Sequence, residues 1–276
     1  MRIANSASKD AMEVTHLKIL KWVLGVHKKT SNNACYGDTG RTPWAISTLS
    51  QCSDYFCRAS TAVAGNVNTL LYHTFNEQRE LNLSWYTTWS LLADHCSKAK
   101  PSMPLPSAVN EHIKDIFTTH WRTELQSQTK MCFYITTKQV FGEEPYLKLR
   151  NRAQRVQIAK LRSSSHDLKI EKGRYTANPY NRHLKACRYC CTDDTEVIGN
   201  FESLPFFQDP IIESEEHVLT ECPGYHHLRL KLSDNLKSLI MLKQYGAIMT
   251  SCHLPEFGRY LVNCFSLRNP KKSPPT

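Results

Sequence analysis

Apolar positions in the first 130 residues recur at intervals of three and four, the spacing of one helix face. In THLKILKWVLGV, Leu17, Leu20 and Leu24 share a face, and Gly25 stands where that helix ends. SNNACYGDTGRTP is dense in turn formers and reads as a loop. Thr42 then serves as an N-cap with Pro43 in the first turn, opening a helix with Ile46, Leu49 and Phe56 inward. Helices are expected over 66–80 and over 84–96, the second with Trp85, Trp89 and Leu92 on one face. Three prolines make PSMPLPS a connector, after which Ser107 caps a helix with the stripe Val109, Ile113, Ile116, Phe117, His120 and Leu125.

The pattern changes at Met131. MCFYITTKQVF is β-branched and aromatic, so strand and helix stay open there. A helix over 145–162 would turn Leu149, Val156, Ala159 and Leu161 inward and its arginines outward. The chain then becomes loop-rich, with one further helix over 225–242 and PKKSPPT as a terminal tail. The fold class that follows is mainly α.

No run reaches the roughly 18 apolar residues of a membrane-spanning helix, and MRIANSASKDAMEV lacks the features of a signal peptide. Eleven cysteines without an export signal argue for reduced thiols and an intracellular protein, nuclear or cytoplasmic rather than secreted. The net charge is +10, and residues 148–190 hold all of it: twelve Lys/Arg against Asp167 and Glu171. Residues 192–216 then carry eight acids and no Lys or Arg. A dense cationic block suits phosphate, so sequence-tolerant contact with RNA or DNA is expected through Arg150, Arg152, Arg155, Lys160, Arg162 and Arg174. His166, Tyr175 and Tyr180 are candidates to stack on bases. Docking of the basic block on the acidic stretch is the competing reading and leads to a structural or protein-interaction module.

HLKACRYCCTDDTEV sets Cys187 and Cys190 two residues apart, with Cys191 as an alternative to Cys190. Downstream, His217 and Cys222 complete C-x2-C, 26 residues, H-x4-C. Three thiolates and one imidazole are an ordinary tetrahedral set for one structural zinc ion, and Pro223 breaks the turn that carries Cys222. His226 and His227 read as solvent-facing residues of the next helix.

LKLRNRAQRVQIAKLRSSSHDLKIEKGRY, CRYC and EEHVLTECPGYHHLR together resemble the C-terminal region of LINE-type (non-LTR) retrotransposon reverse transcriptase polyproteins. LKWVLGVHKKTSNNACYGDTGRTP is similar to the stretch just downstream of the polymerase palm in such elements, and TKMCFYITTKQVFGEEPYL to their connecting segment. The resemblance implies a helical region over 1–130, a basic connecting segment over 131–185, a small, loop-rich CCHC zinc-binding subdomain with a terminal helix over 186–245, and a tail over 246–276. Its zinc ligands fall on Cys187, Cys190, His217 and Cys222, although the spacer here is longer than in many relatives and VIGNFESLPFFQDPI reads as an inserted loop. A polymerase needs carboxylates that hold two metal ions, and the one adjacent Asp pair, Asp193-Asp194, lies in the acidic stretch. The chain thus reads as a detached, non-catalytic, nucleic-acid-binding piece and not as an enzyme.

Overall fold

The computed structural model describes residues 11–65, 70–176, 181–190 and 210–268, except for the side chains at 60–65, 70–72 and 85. Cys191, Asp193-Asp194, most of the acidic stretch, Tyr180, Trp85 and the PKKSPPT tail therefore lie outside the described residues. The fold is mainly α, and β pairing among the described residues is confined to two isolated bridges, Thr39–Glu143 and Ala186–Ile212. No described helix is long and apolar enough to cross a membrane.

The chain divides into two compact units, Met1–His16 with Thr42–Glu124, and Leu17–Arg41 with Leu125–Thr276. The helices, in chain order, are α1 (Ala11–Leu24), α2 (Asn32–Thr39), α3 (Trp44–Gly65), α4 (Leu70–Glu80), α5 (Ser84–Ala99), α6 (Leu105–Gln126), α7 (Cys132–Thr137) and α8 (Arg152–Arg162). After them come α9 (Lys169–Lys172), α10 (Glu215–Thr220), α11 (His226–Arg229), α12 (Asp234–Met241), α13 (Tyr245–Thr250) and α14 (Leu254–Arg268).

The first unit buries the stripes expected of α3 and α5. Phe56, Phe75, Trp89, Cys96 and Val109 form its core, and Leu49 and Leu92 pack on it. Phe56, Phe75 and Tyr86 meet with ring centroids 5.4–5.9 Å apart, a spacing at which aromatic pairs attract beyond their buried area. Ser107 does not cap α6, because the helix already begins at Leu105 with Pro106 in its first turn. Val109 and Phe117 are buried as expected, whereas Ile116 and His120 face solvent.

The second unit departs further from the sequence reading. SNNACYGDTGRTP is not all loop: it contains α2, which buries Cys35, Tyr36 and Asp38. MCFYITT is helical, with Tyr134 fully buried. The helix expected over 145–162 starts later, at Arg152, where the Asn151 side chain accepts from the backbone N–H of Ala153 at 2.9 Å and caps it. The helix expected over 225–242 breaks into α11 and α12, and the Ser233 N–H at the break donates to Glu256 at 2.7 Å. The segment read as a tail, 246–276, holds α13 and the core helix α14, whose Phe257, Leu261 and Cys264 are buried. α14 packs on α8 at Gly258, where a Cβ would lie 2.8 Å from the Gln154 Cβ.

The segments around the paired cysteines do not stand apart as a loop-rich subdomain either. Cys187, Val218, Leu219, Cys222 and Tyr225 join one apolar core with Leu20 and Leu24 of α1, Ile158 and Leu161 of α8, and the inner face of α14.

Candidate metal centre

Two short segments carry the four ligand candidates, and the Ala186–Ile212 bridge clamps them together. The Cys187 N–H donates to the Ile211 carbonyl and the Glu213 N–H to the Lys185 carbonyl, each at 2.8 Å. This pairing closes the chain at the base of the 26-residue spacer, so the spacer's length does not set the distance between the half-sites. On one side the Cys190 N–H donates to the Cys187 carbonyl at 3.2 Å, a tight turn that aims both sulfurs the same way. On the other, Ser214 caps α10 by accepting from the His217 N–H at 3.1 Å. α10 ends at Thr220, and Pro223 opens a tight 3-10 turn that carries Cys222 away from helical geometry.

The ligand atoms of Cys187, Cys190, His217 and Cys222 all lie within 4.8 Å of one another. Sulfur–sulfur separations are 3.6 Å for Cys187–Cys222 and 3.9 Å for Cys190–Cys222, and the Cys190 sulfur lies 3.2 Å from His217 Nε2. A tetrahedron with metal–sulfur bonds of about 2.3 Å and metal–nitrogen bonds of about 2.05 Å has edges of about 3.8 Å and about 3.5 Å. The measured edges fit that figure, and the widest needs to contract by about 1 Å on closure. The four residues therefore form a group that can hold one metal ion.

Burial raises the Cys187 thiol, but hydrogen bonds from His217, the Tyr189 N–H and Cys222 outweigh it and bring it down to about 7. His217 moves up, first through its hydrogen bond with Cys187. Cys190 and Cys222 are raised by burial and by repulsion from the Cys187 charge. The hydrogen bond between Cys187 and His217 thus favours the charged form of each. A dication takes the place of the remaining protons, which couples metal affinity to pH.

The surroundings hold the ligands in place. His217 Nδ1 faces the Glu221 carboxylate at 3.5 Å, on the side where a carboxylate can orient an imidazole that binds metal through Nε2. Arg229, which the sequence reading passed over, donates to the Cys222 carbonyl at 2.6 Å and to the Val218 carbonyl at 3.3 Å, closing the end of α10. Tyr189 stacks edge-on against Tyr225 at 5.3 Å, and Gly224 leaves room for it, since a Cβ there would lie 2.5 Å from Tyr189 Cγ. His226 and His227 are exposed, as expected.

The cationic candidates separate into two sets. Arg150 and Arg152 are exposed, and Arg155 and Lys160 are half-buried. Arg155 donates to the Leu149 and Arg150 carbonyls. Arg152 lies 5.2 Å from the ring of Trp22, which is 68% exposed. The spacing of the α1 stripe leaves Trp22 off the inner face, but nothing in the sequence pairs it with Arg152, 130 positions away. Arg162 does not face outward: it is fully buried, ion-paired with Glu144 and, at 3.4 Å, with Asp38. Arg174 is ion-paired with Glu171. His166 is no base platform, because its ring is buried and its Nε2 meets Glu215 at 2.8 Å. Tyr175 is 61% exposed.

No protein-family model, curated protein or solved structure matches the chain.

Proposed function

We propose that the chain is a zinc-stabilised nucleic-acid-binding module without chemistry of its own, in the role that its resemblance to the post-polymerase region of LINE-type reverse transcriptase polyproteins implies. The convergence of Cys187, Cys190, His217 and Cys222 on one point carries this reading. Three sulfurs and an imidazole select zinc over magnesium or calcium, which prefer oxygen. Four protein ligands leave no position for a reacting water, so the ion's role is structural. Support for nucleic acid comes from Arg150 and Arg152, which are exposed and make no ion pair among the described residues, and from the open Trp22 ring beside Arg152.

Native mass spectrometry tests the metal: one zinc per chain, lost in Cys187→Ser and His217→Ala. Fluorescence anisotropy with single-stranded RNA and DNA tests the binding. If Arg150, Arg152, Arg155 and Lys160 meet phosphates, log affinity falls against log salt with a slope of about −2.8. Primer extension with magnesium or manganese is expected to be absent.

An apolar groove favours a second reading, a zinc-stabilised protein-interaction module. Leu230, Leu232, Ile240 and Met241 line a cavity of about 330 Å³, and Leu230 and Met241 are each 62% exposed. A salt slope near zero selects that reading.

A further inference from the structure

A second cavity in the same unit, of about 220 Å³, has a different character. It lies between the α1–α2 loop, the loop after α8, α9 and Tyr175. The Tyr175 ring is open to solvent and carries two ammonium groups, Lys29 Nζ at 5.3 Å and Lys130 Nζ at 5.7 Å from its centroid. The acids that line the cavity are largely occupied. Glu171 is buried and shared by Lys130 at 3.2 Å and by Arg174, and Asp167 faces Lys172 at 3.8 Å. Lys29 makes no ion pair among the described residues and rests on the Tyr175 ring alone.

The wall is held in place by Ser165. Its hydroxyl oxygen accepts from the His27 N–H at 2.8 Å and from the Thr30 hydroxyl at 2.9 Å. Neither bond uses the Ser165 proton, so that hydroxyl can still donate into the cavity. A planar aromatic face, an ammonium without a carboxylate partner and an unspent hydroxyl donor are together the groups that one nucleotide requires. A base that takes the place of Lys29 on the ring stacks there, and the released cation and the hydroxyl donor hold a phosphate. The volume is below the roughly 300–1,000 Å³ of drug-sized sites, which suits part of one nucleotide and not a larger ligand.

We propose that this cleft takes one nucleotide of a single strand, with its base on Tyr175 and its phosphate on Lys29 and the Ser165 hydroxyl. The proposal rests on the nucleic-acid reading above and adds a site that lies outside the basic helix. Its place in the fold supports continuity with that helix. The end of α1 runs along α8, since Trp22 stands at Arg152, Gly25 against Val156, and His27 at Ser165. Eleven helical residues rise about 16 Å. At about 3.4 Å per phosphate along a stacked strand, about five nucleotides span such a distance.

The experiment compares the wild-type chain with Tyr175→Ala, Tyr175→Phe and Lys29→Ala on labelled twelve-nucleotide oligo-U and oligo-dT over a salt series. Circular dichroism confirms that each variant is folded, and a 5-iodouracil oligomer maps the contact by photocrosslinking. Expected are a loss of about 5- to 150-fold for Tyr175→Ala, near wild-type affinity for Tyr175→Phe, and a crosslink on the Tyr175 peptide. Lys29→Ala should make the salt slope shallower by about 0.7. Wild-type binding with an unaffected Tyr175→Ala and a crosslink elsewhere overturns the cleft and leaves the nucleic-acid reading standing. A wild-type chain without salt-dependent binding overturns both.

Discussion

Arg162 is the residue on which one cluster of buried charges in the second unit balances. Its guanidinium and the Lys138 ammonium face the carboxylates of Asp38 and Glu144, with the Tyr146 hydroxyl donating to Asp38 at 2.6 Å and Lys138 meeting Glu144 at 2.5 Å. The Tyr134 and Tyr146 rings lie 5.3 and 5.5 Å from the guanidinium. Burial pushes the Asp38 carboxyl up and the nearby Arg162 charge opposes it. Replacing Arg162 with leucine removes that opposition and leaves Asp38 only the weaker field of Lys138, which is paired with Glu144, a change that costs about 3–5 kcal/mol at neutral pH. The sign of the pH dependence follows. In the variant the folded carboxyl sits above its unfolded value of about 3.9, so the deficit relative to wild type is smallest below about pH 4 and grows as pH rises toward neutral. Urea titrations of both proteins at pH 5 and pH 8 measure this. A deficit equal at the two pH values would show that Asp38 finds another partner. The sequence marks Arg162 as one more member of a basic block, because nothing in residues 148–190 announces that α2, over a hundred positions earlier, supplies its partner.

Among the elements, those written by local pattern were legible and those written by distant contacts were not. The stripes of α1, α3 and α5 predict their buried faces because hydrophobic spacing alone decides them. α2, NNACYGDT, has weak helical propensity and forms where Tyr36 and Cys35 enter the core and Asp38 meets Arg162. α14 is a different case: Leu254, Phe257, Leu261, Cys264 and Phe265 follow helical spacing, so it is readable, although its closeness to a proline-rich end suggests a tail. The four candidate metal ligands were legible as types and spacings, but the Ala186–Ile212 clamp that brings them together was not. Because Cys187 and Cys222 belong to the core that α1, α8 and α14 share, metal loss should spread beyond the two short segments that hold the ligands. Hydrogen exchange after chelation is expected to rise across the second unit, including α8 and α14, while α3 and α5, which have their own core, keep their protection. Faster exchange limited to residues 186–222 would mean that the centre acts only locally.

At the scale of the whole molecule the question is what the acidic stretch does to the cationic face. The net charge of +10 resides in residues 148–190, yet the fold withdraws Arg162 into the core and ties Arg174 to Glu171. The field that reaches a phosphate is therefore smaller than composition suggests, and acids near it would weaken it further. The clamp allows a direct test. Since Cys187 is already joined to Ile211, removing residues 193–208 and linking Thr192 to Asp209 through two glycines should leave the metal centre intact. The shorter loop lowers the closure cost by about 0.5–1 kcal/mol, so zinc binding should hold or tighten. The deletion also removes Asp193, Asp194, Glu196 and Glu202, which takes the formal charge from +10 to +14. Single-stranded RNA should then bind more tightly at low salt, and the gain should shrink as the Debye length falls from about 10 Å at 0.1 M to about 3 Å at 1 M. Loss of zinc from the shortened chain would show that the spacer, and not the clamp, holds the half-sites together. If the wild-type chain binds nothing and the shortened chain binds with a steep salt slope, the acidic stretch occupies the cationic face, and the molecule is held off nucleic acid by its own chain.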